Sequence, residues 1–358
     1  MHDAEFAFSC FVGCANAIID SLAEFKDTIK DCARPPKLIV IGDKSSGKSS
    51  LISALTEIKL PKIETRCPLH IQTSRSQVET WRVYITQNYE LSRPETELPI
   101  TGDDKTEGRR LPPWKRLPEN DQVRHEFRSV IDGFDIEEVQ AALRRGQAAI
   151  LNPSRKVSDF KPPFQGESTK GAVEKLEEDP EVRFSPNTLT LEVTGPNLRD
   201  REFYELPGGF VEAKQPEDEG TEKMVKNLTR EYISLPDATI LWAVSMVLDV
   251  NSSYTFNLIR HHKVQDRCIG VMTKADLVSQ DKEGPNHWVQ VLDGTAYNTG
   301  IAYIVTSNQD GGPGSTQNRP EAAFLDRVDR SSQHRYQSGT EKLDELLGAE
   351  RLRDLVEK

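Results

Sequence analysis

The stretch that decides the fold of this chain is GDKSSGKSS at positions 42–50, directly after the apolar run LIVI at positions 38–41. It fits the pattern G-x-x-x-x-G-K-[ST] in the required context, a buried strand followed by a glycine-bounded turn and a helix. Gly42 and Gly47 permit backbone angles that aim successive N–H groups at one anion, and the helix N-terminus adds partial positive charge. The stretch therefore predicts a phosphate-binding loop for a nucleoside triphosphate.

Two side chains of this loop are placed to act on the phosphates. Lys48 can reach the β- and γ-phosphates, and the hydroxyl of Ser49 can face a magnesium ion. The expected cofactors are therefore a nucleoside triphosphate and Mg²⁺. The nucleotide contacts predicted within the loop are Gly42, Asp43, Lys44, Ser45, Ser46, Gly47, Lys48, Ser49 and Ser50.

A second motif, far downstream, predicts which base is bound. The segment RCIGVM at 267–272 has the pattern of a buried strand and ends in TKAD at 273–276. Asp276 can accept hydrogen bonds from the ring N–H and the exocyclic amine of guanine, whereas adenine would leave this carboxylate buried and unpaired. The stem of Lys274 would lie along the face of the base. Because it follows the phosphate loop in the expected order, the tetrad favours GTP over ATP.

Together with their flanks, these motifs resemble the dynamin superfamily of large GTPases over about residues 35–310. The resemblance rests on KLIVIGDKSSGKSS at 37–50, TRCP at 65–68, LTLEVTGP at 189–196, ELPG at 205–208 and GVMTKADL at 270–277. The long spacing between the phosphate loop and TKAD is also that of the family and unlike small Ras-type GTPases. The residue sequences of these segments are similar to those of the divergent dynamin-like proteins common in filamentous fungi.

The resemblance implies further contacts to the nucleotide. Thr65 lies in switch I and Gly208 in switch II, where the family positions the attacking water. Ser49, Thr65 and Glu205 would hold the magnesium ion. The last guanine and ribose contact would fall on Asn308, where the usual Asn-Arg pair of the family is not intact. The residues that the resemblance assigns to nucleotide binding outside the loop are Glu205, Leu206, Pro207, Gly208, Thr273, Lys274, Asp276 and Asn308.

Three departures from the family pattern bear on hydrolysis, for which the expected catalytic residues are Lys44, Lys48, Thr65 and Gly208. Glu205 replaces an Asp and is one methylene longer. Lys44 replaces a Gln that helps to place the attacking water. Switch I is shorter than in the family and lacks the glycine that holds a monovalent cation. Lys44 either supplies the missing charge with its own ammonium or marks an enzyme that no longer hydrolyses GTP well.

Two functions of different classes therefore remain open. The first is a GTP hydrolase of the dynamin type, with a link to membrane remodelling or organelle dynamics. The second is a GTP-binding switch with little turnover that acts through dimerisation or partner binding. The TKAD tetrad disfavours an ATP-using protein. The resemblance implies a homodimer through the GTPase domain, and membrane association only through elements that are missing from this sequence or belong to separate chains.

Composition fits this class and disfavours others. The 358 residues suffice for a GTPase domain with insertions, and 36% hydrophobic residues indicate much solvated loop. A net charge of −11 argues against nonspecific binding of nucleic acid and against broad attraction to anionic membranes. Five cysteines without a C-x-x-C pair indicate reduced thiols and a cytoplasmic protein. The apolar run at 6–19 lacks a basic flank and is too short to span a bilayer.

The expected organisation is an N-terminal helical segment at 1–34, a GTPase domain at 35–330 and a C-terminal helix at 331–358. Charged stretches rich in Pro and Gly, at about 91–120 and 156–186, are expected to be exposed loops inserted into the domain. No long stalk of the dynamin type is recognisable, so we expect either a truncated chain or a standalone GTPase module.

The predicted fold is α/β, a P-loop GTPase fold whose mostly parallel sheet is flanked by helices, with insertions and packed terminal helices. The nucleotide is expected at the carboxyl ends of the strands. Between the two insertions, helical spacing is predicted for Phe127, Val130, Ile131, Val139, Ala142 and Leu143. The expected strands are 38–41, 189–193, 203–206, 239–245, 268–272 and 303–306.

Overall fold

The computed structural model describes residues 37–56, 58–61, 63–91, 114–131, 133–163, 166–209, 218–248, 250, 253–274, 277, 288, 291 and 302–305. The predicted terminal helices and residues 92–113 of the first insertion lie outside these ranges. The chain divides into two compact units. The first unit is Lys37–Lys44 with Lys59–Ala238, and the second is Met1–Pro36, Ser45–Ile58 and Thr239–Lys358.

The described residues form eleven strands and five α-helices. The strands are β1 (Lys37–Ile41), β2 (Leu69–Arg75), β3 (Thr80–Gln87), β4 (Tyr89–Leu91), β5 (Trp114–Arg116), β6 (Val123–Ile131), β7 (Thr188–Gly195), β8 (Arg201–Glu205), β9 (Ala238–Ser245), β10 (Cys268–Thr273) and β11 (Ala302–Val305). The helices are α1 (Lys48–Thr56), α2 (Ile136–Leu151), α3 (Glu167–Glu178), α4 (Asp218–Ile233) and α5 (Tyr254–His261). Among the described residues, the strands β2 to β6 follow one another without an α-helix between them.

The first unit contains a mixed sheet with the strand order β1-β8-β2-β7-β3-β6. β1 pairs in parallel with β8, and β2 with β7, whereas β2–β8, β3–β7 and β3–β6 are antiparallel. Burial alternates along β3, where Trp81, Val83 and Ile85 are fully buried between more exposed neighbours. This period of two is what places one face of a strand in the core.

The second unit contains three parallel strands in the order β11-β10-β9. Every residue of β9 and β10 is buried, as expected for parallel strands that are covered on both faces. Trp242 of β9 stacks on Phe256 of α5 with 4.9 Å between the ring centroids. Helix α5 begins after Ser253, whose hydroxyl accepts a hydrogen bond from the Phe256 amide at 3.2 Å.

The predicted fold class is confirmed, because the sheet pairings within the units are mostly parallel and helices pack against the strands. Strands occur at all six predicted places. The prediction of helical spacing for Phe127, Val130 and Ile131 is wrong, since these residues belong to β6. Their pairing with β3 sets which side chains are buried, and the spacing of four between Phe127 and Ile131 suits either period.

The second insertion, 156–186, is not plain loop, because it contains α3 and a short 3-10 helix at Val157–Phe160. Its prolines suggest a loop, whereas residues 167–178 contain no proline and are rich in Glu and Lys, which favour helix. The end of the first insertion is also packed. Trp114 is buried with Tyr89 in a cluster beneath α4 residues such as Met224.

Helix length bears on the question of membrane insertion. Across the residues that the structure describes, no helix combines the length and the apolar character needed to cross a bilayer.

Candidate nucleotide site

The phosphate loop follows the buried strand β1 and leads into α1. Its residues pass from the first unit to the second between Lys44 and Ser45. The amide of Leu51 donates to the Gly47 carbonyl at 2.9 Å and so starts the helical hydrogen bonds. Gly47 has a φ of 92°, and a Cβ atom there would lie 3.4 Å from Thr273. The left-handed backbone angle explains why glycine occupies this position, whereas the distance to Thr273 is an ordinary van der Waals contact.

In the second unit, the start of the TKAD tetrad is tied to the phosphate loop. The hydroxyl of Thr273 donates to the Ser46 carbonyl at 2.6 Å, and the ammonium of Lys274 donates to the Ser45 carbonyl at 2.7 Å. Thr273 and Ser46 are almost completely buried, with exposed fractions of 1% and 2%. Two segments that are separated by more than two hundred residues in the chain are therefore in direct contact.

Lys274 itself has a left-handed backbone, with a φ of 61°. Such a conformation is uncommon for a residue with a side chain and occurs where surrounding structure enforces it. Here the turn after β10 is closed by a hydrogen bond from the Leu277 amide to the Lys274 carbonyl at 3.0 Å. Asp276 and Asn308, the other predicted base contacts, lie outside the described residues.

In the first unit, switch II runs beside the start of the phosphate loop. The Leu206 amide donates to the Val40 carbonyl at 3.2 Å, and the Gly209 amide donates to the Gly42 carbonyl at 3.4 Å. Asp43 and Gly209 are paired through their backbones in an isolated parallel β-bridge. These backbone contacts place Leu206, Pro207 and Gly208 next to Gly42 and Asp43.

Two predicted magnesium ligands of the first unit are in direct contact. Thr65 Oγ1 donates a hydrogen bond to Glu205 Oε1 at 2.7 Å, and Glu205 is buried, with an exposed fraction of 1%. A hydroxyl and a carboxylate are the hard oxygen donors that Mg²⁺ prefers, so this pair fits the ion. No cluster of three or more His, Cys, Asp or Glu occurs among the described residues. Besides the Glu205 carboxylate, a magnesium ion here would therefore depend on hydroxyl, phosphate and water oxygens.

Switch I also contributes an ion pair that the sequence did not predict. Lys44 Nζ lies 2.7 Å from Glu64 Oε1, and Arg66 Nε lies 3.5 Å from Glu64 Oε2. Burial raises the pKa of Glu64, but the hydrogen bond and charge of Lys44, helped by Arg66, lower it below the ordinary value of 4.5 overall. The sequence signal that could have predicted this pair is an acidic residue, Glu64, directly before TRCP, together with a basic residue, Lys44, in the phosphate loop.

A side chain of helix α2 binds the backbone of this part of switch I. The side-chain amide of Gln147 donates to the Glu64 carbonyl at 3.0 Å and accepts from the Arg66 amide at 3.1 Å. The neighbouring Cys67 is buried, and this burial raises the pKa of its thiol to about 12. Cys67 is therefore a packing residue in its neutral form. Sequence reasoning missed Gln147, because nothing in its local pattern distinguishes it from other polar helix residues.

The fold and the glycine-bounded loop define an α/β protein of the P-loop class. A sequence model described as the dynamin family matches residues 38–275, which is well over half of the chain. The chain therefore belongs to the dynamin family.

The similar proteins include interferon-induced GTP-binding proteins of vertebrates. The mouse protein Mx1 is 26% identical over 256 residues, which cover 70% of this chain and 30% of the relative. Mouse Mx2 is 25% identical over 277 residues, which cover 75% of this chain and 32% of the relative. The chicken protein Mx is 24% identical over 255 residues, with coverages of 69% and 26%. The chain thus spans about a third or less of the length of these relatives.

Proposed function

We propose that this chain binds GTP and hydrolyses it with the help of Mg²⁺. The observation that carries the proposal is the pair of hydrogen bonds from Thr273 and Lys274 to the carbonyls of Ser46 and Ser45. They bring the start of the base-reading tetrad onto the phosphate-binding loop within one unit. The similar mouse proteins are named as GTP-binding proteins, which supports the choice of nucleotide.

The loop residues bind the phosphates. Lys48 is the first residue of α1 and is mostly buried, with an exposed fraction of 7%, so its ammonium has little freedom to turn toward bulk solvent. The N–H groups of the first turn of α1 point toward the loop, where they and the helix dipole attract anionic oxygens. We assign the binding of the β- and γ-phosphates to this arrangement.

Ser49, Thr65 and Glu205 would hold the magnesium ion. When bound, Mg²⁺ neutralises phosphate charge that develops as the terminal bond breaks. Thr65 donates its hydroxyl proton to Glu205, so the lone pairs of Thr65 Oγ1 remain available as a ligand. Glu205 is one methylene longer than the Asp of the family, and this hydrogen bond fixes where the extra length places the carboxylate. We assign the positioning of water to the backbone around Thr65 and Gly208.

Single-turnover hydrolysis of radiolabelled GTP, beside equilibrium binding of GTP and ATP, tests this function. We expect Mg²⁺-dependent phosphate release and a strong preference for GTP. Tight GTP binding without measurable release would reject the hydrolase and retain the binding function.

A GTP-binding switch with little turnover is the second candidate, and the ion pair of Lys44 favours it. The ammonium of Lys44 already contacts the carboxylate of Glu64 at 2.7 Å. Because the Glu64 carboxylate neutralises this positive charge, the ammonium stabilises the negative charge that develops on the phosphate less strongly. Lys44 can act in hydrolysis only if nucleotide binding separates it from Glu64. Hydrolysis rates measured with and without potassium or sodium distinguish the two candidates. A measurable rate that does not depend on these ions indicates that the Lys44 ammonium supplies the charge, whereas a negligible rate in both conditions indicates the switch.

We further propose that the chain forms a homodimer through the GTPase domain and acts in membrane remodelling through separate elements. Membership of the dynamin family supports this proposal. Light scattering with and without a non-hydrolysable GTP analogue tests the dimer, and a monomeric mass in both conditions at high protein concentration would contradict it.

A further inference from the structure

A second polar site lies in the first unit, on residues that the nucleotide motifs do not use. It is an open groove of about 450 Å³ beside β3 and β6 and the segment that follows α2. We call it the β6 groove. The residues that carry the argument are Gln87, His125, Glu126, Arg155, Lys156 and Lys161, all of which line it.

The β6 groove is basic in a chain that is acidic overall. Three of its lining residues are Arg or Lys and one is a carboxylate, whereas the whole chain has a net charge of −11. Arg155 and Lys156 are exposed and form no ion pair with any residue inside the described ranges. The nearby arginines of β6 are different, since Arg124 pairs with Glu192 and Arg128 with Glu138. Among the described residues, these two adjacent cations therefore line the groove without an ion-pair partner.

The single lining carboxylate is already engaged. Glu126 accepts a hydrogen bond from the hydroxyl of Ser129 at 3.0 Å, and its carbonyl accepts one from Lys161 Nζ at 2.5 Å. The imidazole Nε2 of His125 lies 3.1 Å from Gln87 Oε1 across the strand pair. The floor of the groove is thus fixed by hydrogen bonds, and the charge that remains unmatched is positive.

The wall that carries Arg155 and Lys156 is held by buried groups. Asn152 is fully buried, and its side-chain amide donates to the Ala148 carbonyl at 2.7 Å and accepts from the Glu181 amide at 3.2 Å. The backbone amide of Ser154 donates to Glu181 Oε2 at 3.1 Å. Phe160, also fully buried, anchors the other end of this wall. A site that is ordered before binding loses less entropy when a ligand enters.

We propose that the β6 groove binds a compact anion that carries several phosphate groups, either a soluble phosphate ester or the phosphorylated headgroup of a lipid. A guanidinium binds phosphate oxygens in a planar, bidentate way, and a lysine ammonium adds a point charge. The volume exceeds that of one phosphate and lies within the usual range for small-molecule sites, roughly 300–1,000 Å³. The three basic residues of the lining favour an anionic ligand.

The test is a calorimetric titration of the full chain with inositol hexakisphosphate. We expect saturable binding that weakens as salt is added, because exposed charges are screened. The double variant Arg155→Ala/Lys156→Ala should bind at least about tenfold more weakly, the loss expected when charge-assisted hydrogen bonds are removed. The control Lys115→Ala/Lys170→Ala removes two exposed cations outside the groove and should bind like the wild type within about twofold.

Lys48→Ala separates this site from the nucleotide loop, and it should bind the probe like the wild type even if GTP binding is lost. Co-sedimentation with phosphatidylcholine vesicles, with and without phosphatidylinositol bisphosphate, then decides the source of the phosphates. Sedimentation that depends on that lipid and is lost in the double variant identifies a headgroup site, and probe binding without sedimentation identifies a soluble ester. Equal affinities in wild type and double variant, no binding by the wild type, or loss in Lys48→Ala would overturn the proposal.

Discussion

The ammonium of Lys44 lies 2.7 Å from the carboxylate of Glu64, so a residue of the phosphate loop is paired with the residue that precedes Thr65 in switch I. Both side chains are partly exposed, with exposed fractions of 62% and 33%. An exposed pair of this kind stabilises the fold by at most about 1 kcal/mol, and its strength falls as salt is added. The ion pair therefore matters less for the stability of the fold than for whether the Lys44 charge is available to the phosphates.

Replacing Lys44 is the first prediction. If its ammonium offsets charge on the phosphates, Lys44→Gln should lower the single-turnover rate of GTP hydrolysis, and added potassium or sodium should restore little. A fixed charge can accelerate phosphoryl transfer by ~10³–10⁵, but the pairing with Glu64 reduces this, so we expect a loss of roughly 10- to 100-fold. Lys115→Gln, an exposed lysine outside the site, is the matched control. A faster Lys44→Gln enzyme would show that the amide, not the ammonium, serves catalysis.

Replacing Glu64 completes this test. Glu64→Gln removes the counter-charge and leaves the Lys44 ammonium in place. We expect this variant to hydrolyse GTP at least as fast as the wild type, and the double variant Lys44→Gln/Glu64→Gln to be as slow as Lys44→Gln alone. Both rates come from the same single-turnover assay. A double variant that matches Glu64→Gln would mean that Lys44 contributes nothing.

The hydroxyl of Thr273 gives the second prediction. Thr273→Val keeps the shape of the side chain but removes its hydrogen bond to the Ser46 carbonyl. Leaving a buried carbonyl without its donor costs about 1–3 kcal/mol, so GTP affinity should fall by roughly 5- to 100-fold. Thr273→Ser retains the hydroxyl and should bind within a few-fold of the wild type. Calorimetry with GTP provides the measurement.

A suitable control for Thr273→Val is Thr229→Val in α4. Thr229 is also buried, and its hydroxyl donates to the Val225 carbonyl at 2.8 Å within its own helix. This variant should lose stability in urea unfolding and keep its GTP affinity. If both variants lose affinity equally, the effect of Thr273 reflects general destabilisation and not the phosphate loop.

The choice of base is the third prediction, and it depends on Asp276. The wild type should prefer GTP over ATP by at least ~100-fold, because a site built to pair with a donor rejects a base that lacks it. Asp276→Asn replaces an acceptor with a group that can donate. It should weaken GTP binding and improve binding of xanthosine triphosphate, which carries a carbonyl where guanine carries its amine. Equal binding of GTP and ATP by the wild type in competition would reject the GTPase interpretation.

A partly buried carboxylate in the first unit gives the fourth prediction, on pH. Glu202 Oε1 lies 2.9 Å from His70 Nε2 and accepts from the Tyr204 hydroxyl at 3.0 Å. Burial raises the pKa of Glu202, but the hydrogen bond and charge of His70 and the hydrogen bond of Tyr204 bring it below its ordinary value of 4.5. A lowered pKa stabilises the fold above the ordinary value, and this contribution is lost as the pH falls through the folded-state value.

Urea unfolding from pH 7 downward provides the measurement. The wild type should lose stability as the pH falls below about 4.5, and Glu202→Gln should lose less over the same interval, because it has no carboxylate to protonate. Glu119→Gln, at an exposed position, should follow the wild type. Parallel pH profiles for all three proteins would show that Glu202 does not contribute to the acid sensitivity.

Some of the fold could be predicted because its cause is local. The apolar run 38–41, the glycines of the loop and the helix-forming residues after Lys48 lie within one continuous stretch, and the structure has β1 and α1 there. The same local logic failed for Phe127, Val130 and Ile131. Their place in a strand depends on pairing between β6 and β3, which a spacing pattern within one segment does not contain.

By itself, the sequence determined the class of the protein, because the phosphate loop and the TKAD tetrad are short motifs whose residues act in order along the chain. Only the tertiary structure decided the pairs: Lys44 with Glu64, Thr65 with Glu205 and Thr273 with Ser46. The last two join residues that are more than one hundred positions apart. Such contacts follow from how strands and loops are brought together by the burial of the sheet, and no local pattern records which charge or hydroxyl will meet which partner.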